Sequence, residues 1–232
     1  MGVSPQSAAM LTELREGVRW LDLRGVNAYL VDDGDLTLVD AGPPWKAGAV
    51  LDALVEAGYA MTALDRVLLT HYDLDHVAGL PKLAGYDVDV CAGRADAGLV
   101  AGTDSPDLGT LKGLTQALGS PFVGNAPGTV QRLDDGDTVG GFTVYATPGH
   151  TPGHVTYVNE TVDAAFVGDL LLESDGGLDP SPWFLSADTD AVRESIRSLS
   201  AATPEFAVLG VGHGVPFREG GKRRLDDLAA HL

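Results

Sequence analysis

Two pairs of short β-strand signals, one in each half of the chain, limit most strongly what this sequence can fold into. Residues 27–31 and 36–39 are rich in β-forming side chains around an Asp-Gly turn, and the second run ends at Asp40. Residues 155–158 and 164–167 repeat this arrangement and end at Asp169. Apolar residues at helical spacing follow each pair, at 45–57 and 188–199. We therefore predict an α/β fold in which residues 1–232 form one domain with two similar halves.

The remaining elements are predicted from shorter patterns. An apolar strand at 66–70 leads directly into His71, and further strands are predicted at 142–145 and 206–211. Segments 79–83 and 99–118 are predicted to be helical in part, since Gly and Pro interrupt the second. A terminal helix is predicted at 222–232.

The chain contains a single cysteine, Cys91. One cysteine cannot form an internal disulfide, and without a CxxC pair there is no thiolate metal site. Any bound metal must therefore be held by histidines and carboxylates. Cys91 follows an apolar run at 88–90, which predicts a small buried hydrophobic residue and not a nucleophile.

Histidines and aspartates cluster directly after the predicted strand at 66–70. The sequence THYDLDH places four potential ligands within six positions, namely His71, Asp73, Asp75 and His76. Irregular backbone after a strand allows His71 and Asp73 to share one metal while Asp75 and His76 turn toward a second. Nitrogen and oxygen ligands of this kind suit Zn, Fe or Mn.

Two further histidines lie in glycine-containing turns. His150 is in the sequence TPGHTPG, and His213 lies between Gly212 and Gly214, where glycine permits close approach of the backbone to an ion. His154 lies four residues after His150, at the start of a predicted strand. We interpret His154 as a buried structural histidine and not as a ligand.

The motifs THYDLDH, TPGHTPGH, GD and GHG occur in this order and resemble those of the metallo-β-lactamase-fold hydrolases over nearly the whole chain. The resemblance implies an αββα sandwich of two mixed β-sheets flanked by helices, with a two-metal site at the edge between the sheets. It implies that Asp169 bridges two metals, with Asp40 orienting a ligand histidine. A plain turn role for Asp40 is the alternative. The implied ligands are His71, Asp73 and His150 for the first metal, and Asp75, His76 and His213 for the second.

Asp73 departs from the usual family pattern, His-x-His-x-Asp-His, at the position of the second His. Flavodiiron proteins of the same fold resemble this chain in having a carboxylate there. The extra carboxylate lowers the positive charge of the site and favours Mn or Fe over Zn. The alternative is that Asp73 is not a ligand and that the first metal is absent.

The resemblance implies a hydrolase that uses two divalent metal ions, Zn or Fe/Mn, on a small-molecule substrate. A water bridging the ions would lose its proton and attack a small ester, thioester or lactone. Asp75 is the predicted catalytic residue, orienting the nucleophile and passing a proton to the leaving group. The TPGHTPGH turn is similar to that of glyoxalase II, although 232 residues leave little room for its added helical region. The alternative is a redox enzyme similar to persulfide dioxygenases, with one iron at His71, His150 and Asp169.

Acidic residues outnumber basic ones by 33 to 15, which gives a formal charge of −18. This charge disfavours nucleic-acid binding, which depends on phosphate neutralisation by Lys and Arg. It is typical of a halophilic protein, because salt screens the repulsion between surface carboxylates.

The sequence lacks the roughly 18 to 20 consecutive apolar residues of a membrane span. Glu13 and Glu16 interrupt the region where a signal peptide would be apolar, so a cytoplasmic protein without a membrane partner is expected. The oligomeric state stays open.

Side chains beside the motifs have two interpretations each. Packing against the core is favoured for Trp183 and Phe184, with a wall of the substrate pocket as the alternative, and Tyr72 and Tyr157 are expected to be packed. A basic cluster after His213 either captures a substrate anion or, as we favour, forms helix ion pairs with Asp226 and Asp227. The cluster consists of Arg218, Lys222, Arg223 and Arg224.

Overall fold

A computed structural model describes residues 10–124 and 126–232. The chain forms a seven-stranded sheet, a five-stranded sheet and a two-stranded hairpin. The first sheet contains β1 (Met10–Arg15), β2 (Val18–Asp22), β3 (Asn27–Asp32), β4 (Leu36–Val39), β5 (Leu64–Leu69), β6 (Asp89–Gly93) and β7 (Val130–Leu133). The rest of the strands are β8 (Thr138–Val139), β9 (Phe142–Ala146), β10 (Val155–Asn159), β11 (Ala164–Gly168), β12 (Leu171–Ser174), β13 (Gly177–Pro180) and β14 (Val208–Val211). The helices are α1 (Ala47–Glu56), α2 (Leu74–Val77), α3 (Arg94–Val100), α4 (Leu111–Gly119), α5 (Thr189–Ala202) and α6 (Gly221–Ala229).

Both sheets combine antiparallel and parallel pairs. The first sheet has its strands in chain order, antiparallel from β1 to β4 and parallel from β4 to β7. The second has the order β14-β11-β10-β9-β8, in which only β11 and β14 are parallel. Parallel strands place their carboxyl ends at one edge, and both sheets therefore offer such an edge for loops that carry function.

Three apolar clusters define the layers. The cluster between the two sheets includes Tyr29, Leu68 and Phe166. A second cluster packs the first sheet against α1 and α3, and a third packs the five-stranded sheet against α5 and α6. Each sheet is thus apolar on both faces, which explains the continuous runs of buried residues in β3, β4, β10 and β11. The expectation of an αββα sandwich of mixed sheets is confirmed.

Helix α5 shows how local sequence positions an element. The side chain of Asp188 accepts hydrogen bonds from the backbone N–H groups of Asp190 and Ala191 and so caps the helix. Val192 and Ile196 then recur at helical spacing and are fully buried in the third cluster. This helix was predicted at 188–199 and is confirmed with a slightly longer carboxyl end.

Residues 99–118, which were predicted to be helical in part, belong to two separate helices and the loop between them. Helix α3 ends at Val100, a loop of ten residues follows, and α4 begins after its N-cap Thr110, whose side chain accepts from Gly113 N–H. Helix α4 also inverts the usual pattern, because Leu111, Leu114 and Leu118 are exposed while polar and small residues face inward. Burial of those polar residues must come from specific contacts and not from hydrophobicity.

Hydrogen bonds join the two sheets at the edge where their strands end. Val155 N–H donates to the Thr70 carbonyl at 2.8 Å, and Asn27 N–H donates to the Gly212 carbonyl at 2.8 Å. The hydroxyl of Tyr157, which is fully buried as expected, donates to the Leu69 carbonyl at 2.8 Å. These bonds fix the end of β5 to β10 of the second sheet and the end of β14 to β3 of the first sheet.

A search of the described residues for membrane-spanning segments finds no helix that combines the length and the apolar character required. Cys91 is fully buried in the cluster between the sheets, as predicted.

The acidic composition leads to a prediction about salt. We expect the thermal midpoint to fall markedly below about 0.5 M KCl, because repulsion among carboxylates is then poorly screened. Melting curves between about 0.1 M and 2 M KCl measure this, with the same series in a neutral osmolyte as the control for non-ionic effects. A midpoint that does not change with KCl would show that the charge of −18 is not a salt adaptation.

Candidate metal centre

The predicted ligands lie in turns or in a short helix at the edge where the two sheets are joined. Asp169 follows β11 and His213 lies after β14, its parallel neighbour. His71 follows β5, and His150 lies in the turn between β9 and β10. Asp73 precedes α2, so Asp75 and His76 belong to a short helix and not to irregular backbone. Neighbouring strand ends thus bring together side chains that are far apart in sequence.

The first group of potential ligands consists of His71, Asp73, His150 and Asp169. Asp73 Oδ2 lies 3.4 Å from His71 Nε2 and 3.1 Å from His150 Nε2. Asp169 Oδ2 lies 3.6 Å from His150 Nε2. Two nitrogens and two carboxylates converge at a separation that one metal ion spans.

The second group consists of Asp75, His76 and His213. Asp75 Oδ2 lies 3.6 Å from His213 Nε2. Asp169 also reaches this group, since its Oδ2 lies 3.1 Å from His213 Nε2 and its Oδ1 lies 3.4 Å from His76 Nε2. Asp169 therefore contacts both groups, which is the position that a bridging carboxylate requires. The structure brings all seven predicted side chains together in the predicted grouping.

The hydrogen-bond pattern of these residues fits a metal ion. His71 Nε2, His76 Nε2 and Asp169 Oδ1 are buried and make no hydrogen bond within the described residues. Buried polar atoms are nearly always satisfied, and unpaired ones indicate an ion or a water. The four imidazoles also use their Nδ1 atoms elsewhere, on Thr70 for His71, Asp40 for His76, Ser181 for His150 and the Gly25 carbonyl for His213. Each Nε2 is thus directed into the site as a donor atom.

The ionisable groups strongly affect one another. Burial by itself raises the pKa of Asp169, but His76, His213 and His150 outweigh it and hold that pKa well below its usual value. Burial likewise lowers the pKa of His76, yet the carboxylates of Asp169, Asp40 and Asp75 raise it well above the ordinary value. A metal ion binds the neutral form of an imidazole, so metal binding at the second group competes with protonation of His76.

Asp40 holds two of these residues in place. Its Oδ2 accepts from His76 Nδ1 at 2.9 Å and from the Thr70 hydroxyl at 2.8 Å. Because that hydroxyl donates to Asp40, it accepts from His71 Nδ1 at 2.9 Å. Asp40 has a φ of 58°, a left-handed conformation that aspartate tolerates better than most residues. The predicted orienting role agrees with these contacts, which a simple turn would not require.

We expect Asp40→Asn to weaken metal binding at the second group by about tenfold, since outer partners of ligand histidines commonly contribute that much. Asparagine keeps the tolerance for positive φ and loses the charge. Competition with a calibrated chelator measures the affinity. Asp52→Asn on the exposed face of α1 is the matched control. An affinity equal to that of the unmodified protein would show that Asp40 serves only the turn.

Gly212 is required because two side chains of the site pack directly against its backbone. A Cβ atom at this position would lie 1.9 Å from Asp169 Oδ1 and 3.0 Å from His76 Cε1. Any side chain would therefore displace both residues. The absence of a side chain at Gly212 therefore leaves the space that Asp169 and His76 occupy.

Asp96 and Lys112 are buried beside the site and were not predicted. Asp96 accepts from Tyr72 N–H at 2.8 Å, the Thr151 hydroxyl at 2.6 Å and Gly153 N–H at 2.9 Å, which ties together the loops that carry Asp73 and His150. Lys112 on α4 contacts Asp73 Oδ2, and its Nζ lies 2.7 Å from His150 Nε2. Neither residue has a local sequence signal, because the partners of each are distant in the chain.

Trp183 and Phe184 contradict the favoured expectation of core packing. They are 72% and 53% exposed, and their rings contact each other in an edge-to-face arrangement with centroids 5.8 Å apart. Their loop is anchored next to the site, because Ser181 is bonded to His150 Nδ1 and accepts from the Ser186 hydroxyl. The hydrogen bonds of the serines, and not apolar packing, position this loop.

Of the remaining predictions beside the site, those for His154, Tyr72 and Lys222 agree with the structure, whereas the described residues show no ion pair between Arg223 and Asp227. His154 is buried with its Nδ1 bonded to Thr147 Oγ1, and it belongs to neither ligand group. Tyr72 is buried. In the basic cluster, Lys222 pairs with Asp226 at 2.5 Å along α6, and Arg224 lies over the ring of Phe217. Helix ion pairing of Lys222 is thus confirmed.

The fold and these motifs define a class of proteins. The sequence profile described as the metallo-beta-lactamase superfamily matches residues 21–213. The chain belongs to this superfamily, and the prediction of a metallo-β-lactamase-fold hydrolase is confirmed.

Individual relatives are similar at moderate identity. The "Probable metallo-hydrolase YflN" of Bacillus subtilis (strain 168) is 28% identical, over 93% of this chain and 90% of the relative. A "Hydroxyacylglutathione hydrolase" of Cereibacter sphaeroides is 32% identical over 80% of this chain, which spans 61% of that protein. The crystal structure of TTHA1623 in a di-iron-bound form is 29% identical, with a TM-score of 0.65, and covers 88% of this chain and 94% of its own.

Proposed function

We propose that this protein hydrolyses a small ester, thioester or lactone with two divalent metal ions held by the seven residues of the candidate centre. The observation that carries the proposal is the convergence of two ligand groups on the shared carboxylate of Asp169. Two ions in such a site lower the pKa of a bound water and polarise a carbonyl group. The first group would consist of His71, Asp73, His150 and Asp169, and the second of Asp75, His76, His213 and Asp169.

Asp75 is suited to proton transfer. Its side chain is 33% exposed, whereas that of Asp169 is 5% exposed. A carboxylate that is both beside the ions and open to solvent can orient an attacking water and carry a proton to the leaving group. The buried Asp169 can only bind and bridge.

The surroundings of the site support an acyl substrate. Trp183 and Phe184 present exposed aromatic surface on the loop anchored to His150. Exposed apolar surface beside a polar centre is typical of a pocket for a partly apolar ligand. An acyl-glutathione is a thioester, so the relatives named hydroxyacylglutathione hydrolase support this class. The alternative, a redox enzyme with one iron at His71, His150 and Asp169, leaves the second group without a role.

The metal is proposed to be Fe or Mn before Zn, because Asp73 adds a hard oxygen donor to the first group. The di-iron form of TTHA1623 shows that a similar protein binds iron. A small-molecule substrate, a cytoplasmic location and no binding to nucleic acid remain proposals, and the charge of −18 supports the last.

The test is a substrate panel on metal-free protein reloaded with Mn, Fe or Zn, with the ions counted by elemental analysis. The panel contains a thioester, a lactone, a carboxylic ester and a phosphodiester. We expect two ions per chain and turnover of one carboxyl-derived substrate. His213→Ala should lose one ion and most of the activity, because it leaves the second metal only one histidine nitrogen beside the carboxylates of Asp75 and the shared Asp169.

The control is His231→Ala, which removes an exposed imidazole whose Nδ1 is hydrogen-bonded to the Asp227 carbonyl. This variant should keep both ions and full turnover. At most one ion per chain in metal-replete protein contradicts the two-metal proposal. Turnover of the phosphodiester alone contradicts the proposed substrate class.

A further inference from the structure

Lys112 occupies an unusual place for a lysine. It lies in the first turn of α4 and is only 7% exposed. Its ammonium group contacts Asp73 Oδ2, and the Nζ atom lies 2.7 Å from His150 Nε2. These two atoms belong to the first ligand group.

General helix physics does not explain this burial. A cation in the first turn opposes the helix dipole, and buried lysines are rare unless they are paired. Hydrophobic patterning does not explain it either, because the leucines of α4 face outward. The contact with Asp73 is therefore the interaction that directs Lys112 inward.

A second residue of the same face supports this orientation. Gln116, one turn after Lys112, donates from Nε2 to the Tyr72 carbonyl at 2.6 Å and to Asp73 Oδ1 at 3.3 Å. One face of α4 thus holds both oxygens of Asp73. These polar contacts position the helix against the first ligand group.

We propose that Lys112 is an internal cation that competes with a metal ion for the first ligand group, so that the second group fills first. The proposal rests on the two-metal site of the proposed function. An ammonium group and a metal ion cannot both use Asp73 Oδ2 and His150 Nε2, and they repel each other at this distance. In the described part of the chain, the ion pairs of Asp75, His76 and His213 involve no lysine or arginine.

The competition has a consequence for the unusual carboxylate in the motif. Asp73 stands where the common family pattern has histidine. A neutral imidazole there could accept a hydrogen bond, as His150 does from Lys112, but it carries no negative charge to pair with the ammonium group. Lys112 balances the charge that Asp73 adds. Lys112 and Asp73 therefore act as a pair, in which Lys112 is a positioning residue that sets the occupancy of the first group.

The experiment measures stepwise metal binding to the full-length, metal-free protein by calorimetry with Mn²⁺ and Zn²⁺, and it does not depend on activity. We expect two separate steps in the unmodified protein, the weaker one at the first group. Lys112→Met keeps the length of the side chain and removes its charge. It should tighten the weaker step by at least about tenfold, equivalent to about 1.4 kcal/mol.

Lys222→Met is the matched control, because Lys222 is also 7% exposed and pairs with Asp226 on α6. It should leave both steps unchanged. To assign the weaker step to the first group, the titration is repeated with His213→Ala, which should bind one ion at that group. This ion should bind more tightly when Lys112→Met is added to His213→Ala. Should Lys112→Met not fold, Lys112→Gln provides the same neutral test.

The proposal is overturned if the weaker step is unchanged in both Lys112 variants, or if Lys222→Met tightens it equally. Two ions that bind with the same constants in all variants would remove the role of Lys112 and leave the proposed function intact. Failure of the unmodified protein to bind any ion would overturn the proposed function together with this inference.

Discussion

Replacing Asp169 by Asn should remove both metal ions and lower kcat/KM by about a thousandfold, equivalent to about 4 kcal/mol of transition-state stabilisation. Asp169 is the carboxylate that faces both groups, 3.6 Å from His150 Nε2 and 3.1 Å from His213 Nε2. Asparagine has nearly the same shape but no charge, and its amide nitrogen cannot bind a metal ion. The loss should therefore affect both ions and not one.

Elemental analysis and stepwise calorimetry measure the stoichiometry of the Asp169→Asn protein. Asp179→Asn is the matched control, since Asp179 is exposed on β13 and belongs to neither ligand group. Retention of one tightly bound ion in Asp169→Asn would show that the carboxylate belongs to one group only. In that case the two-ion arrangement would need a different bridge.

Replacing Asp96 by Ala should lower the free energy of unfolding by about 3 kcal/mol, the largest stability effect that we expect from a residue outside the ligand set. The substitution leaves three buried donors without an acceptor, namely Tyr72 N–H, the Thr151 hydroxyl and Gly153 N–H. Each such donor is costly in a buried environment. Burial raises the pKa of Asp96, and its hydrogen bonds lower it only in part, so removal of the carboxylate recovers some desolvation cost.

Chemical denaturation of metal-free protein measures this loss. Asp96→Asn keeps one acceptor oxygen and should lose about half as much, whereas the exposed Asp87→Ala should change little. We also expect weaker metal binding in Asp96→Ala, because the loops that carry Asp73 and His150 lose their common anchor. Equal stability of Asp96→Ala and Asp87→Ala would contradict the structural role of Asp96.

The ligand set could be predicted because its signals are local. Each of His71 and Asp169 directly follows an apolar run that a short window identifies as a strand. Ligand-capable side chains at such positions, and the glycines at 149, 212 and 214, can be recognised without knowledge of the rest of the chain. Seven strands were not predicted, since they are short or carry exposed polar and charged side chains that weaken the alternation, namely β1, β2, β6, β7, β8, β12 and β13.

From periodicity and adjacent residues, the sequence by itself determined the strand pairs and helices that frame the site and the ligand-capable side chains at the strand ends. The αββα class and the assignment of seven ligands to two metals came from the resemblance of its ordered motifs to a known family. Only the tertiary structure decided that Lys112 and Asp96 lie beside the site and that Trp183 is exposed. The Lys112–Asp73 contact spans 39 residues and the Asp96–Thr151 contact spans 55. Such contacts form when distant loops are brought to one sheet edge, and buried polar groups then pair with whatever partner the fold provides. No local sequence pattern predicts this pairing, because these hydrogen bonds become strong only after folding has excluded the surrounding water.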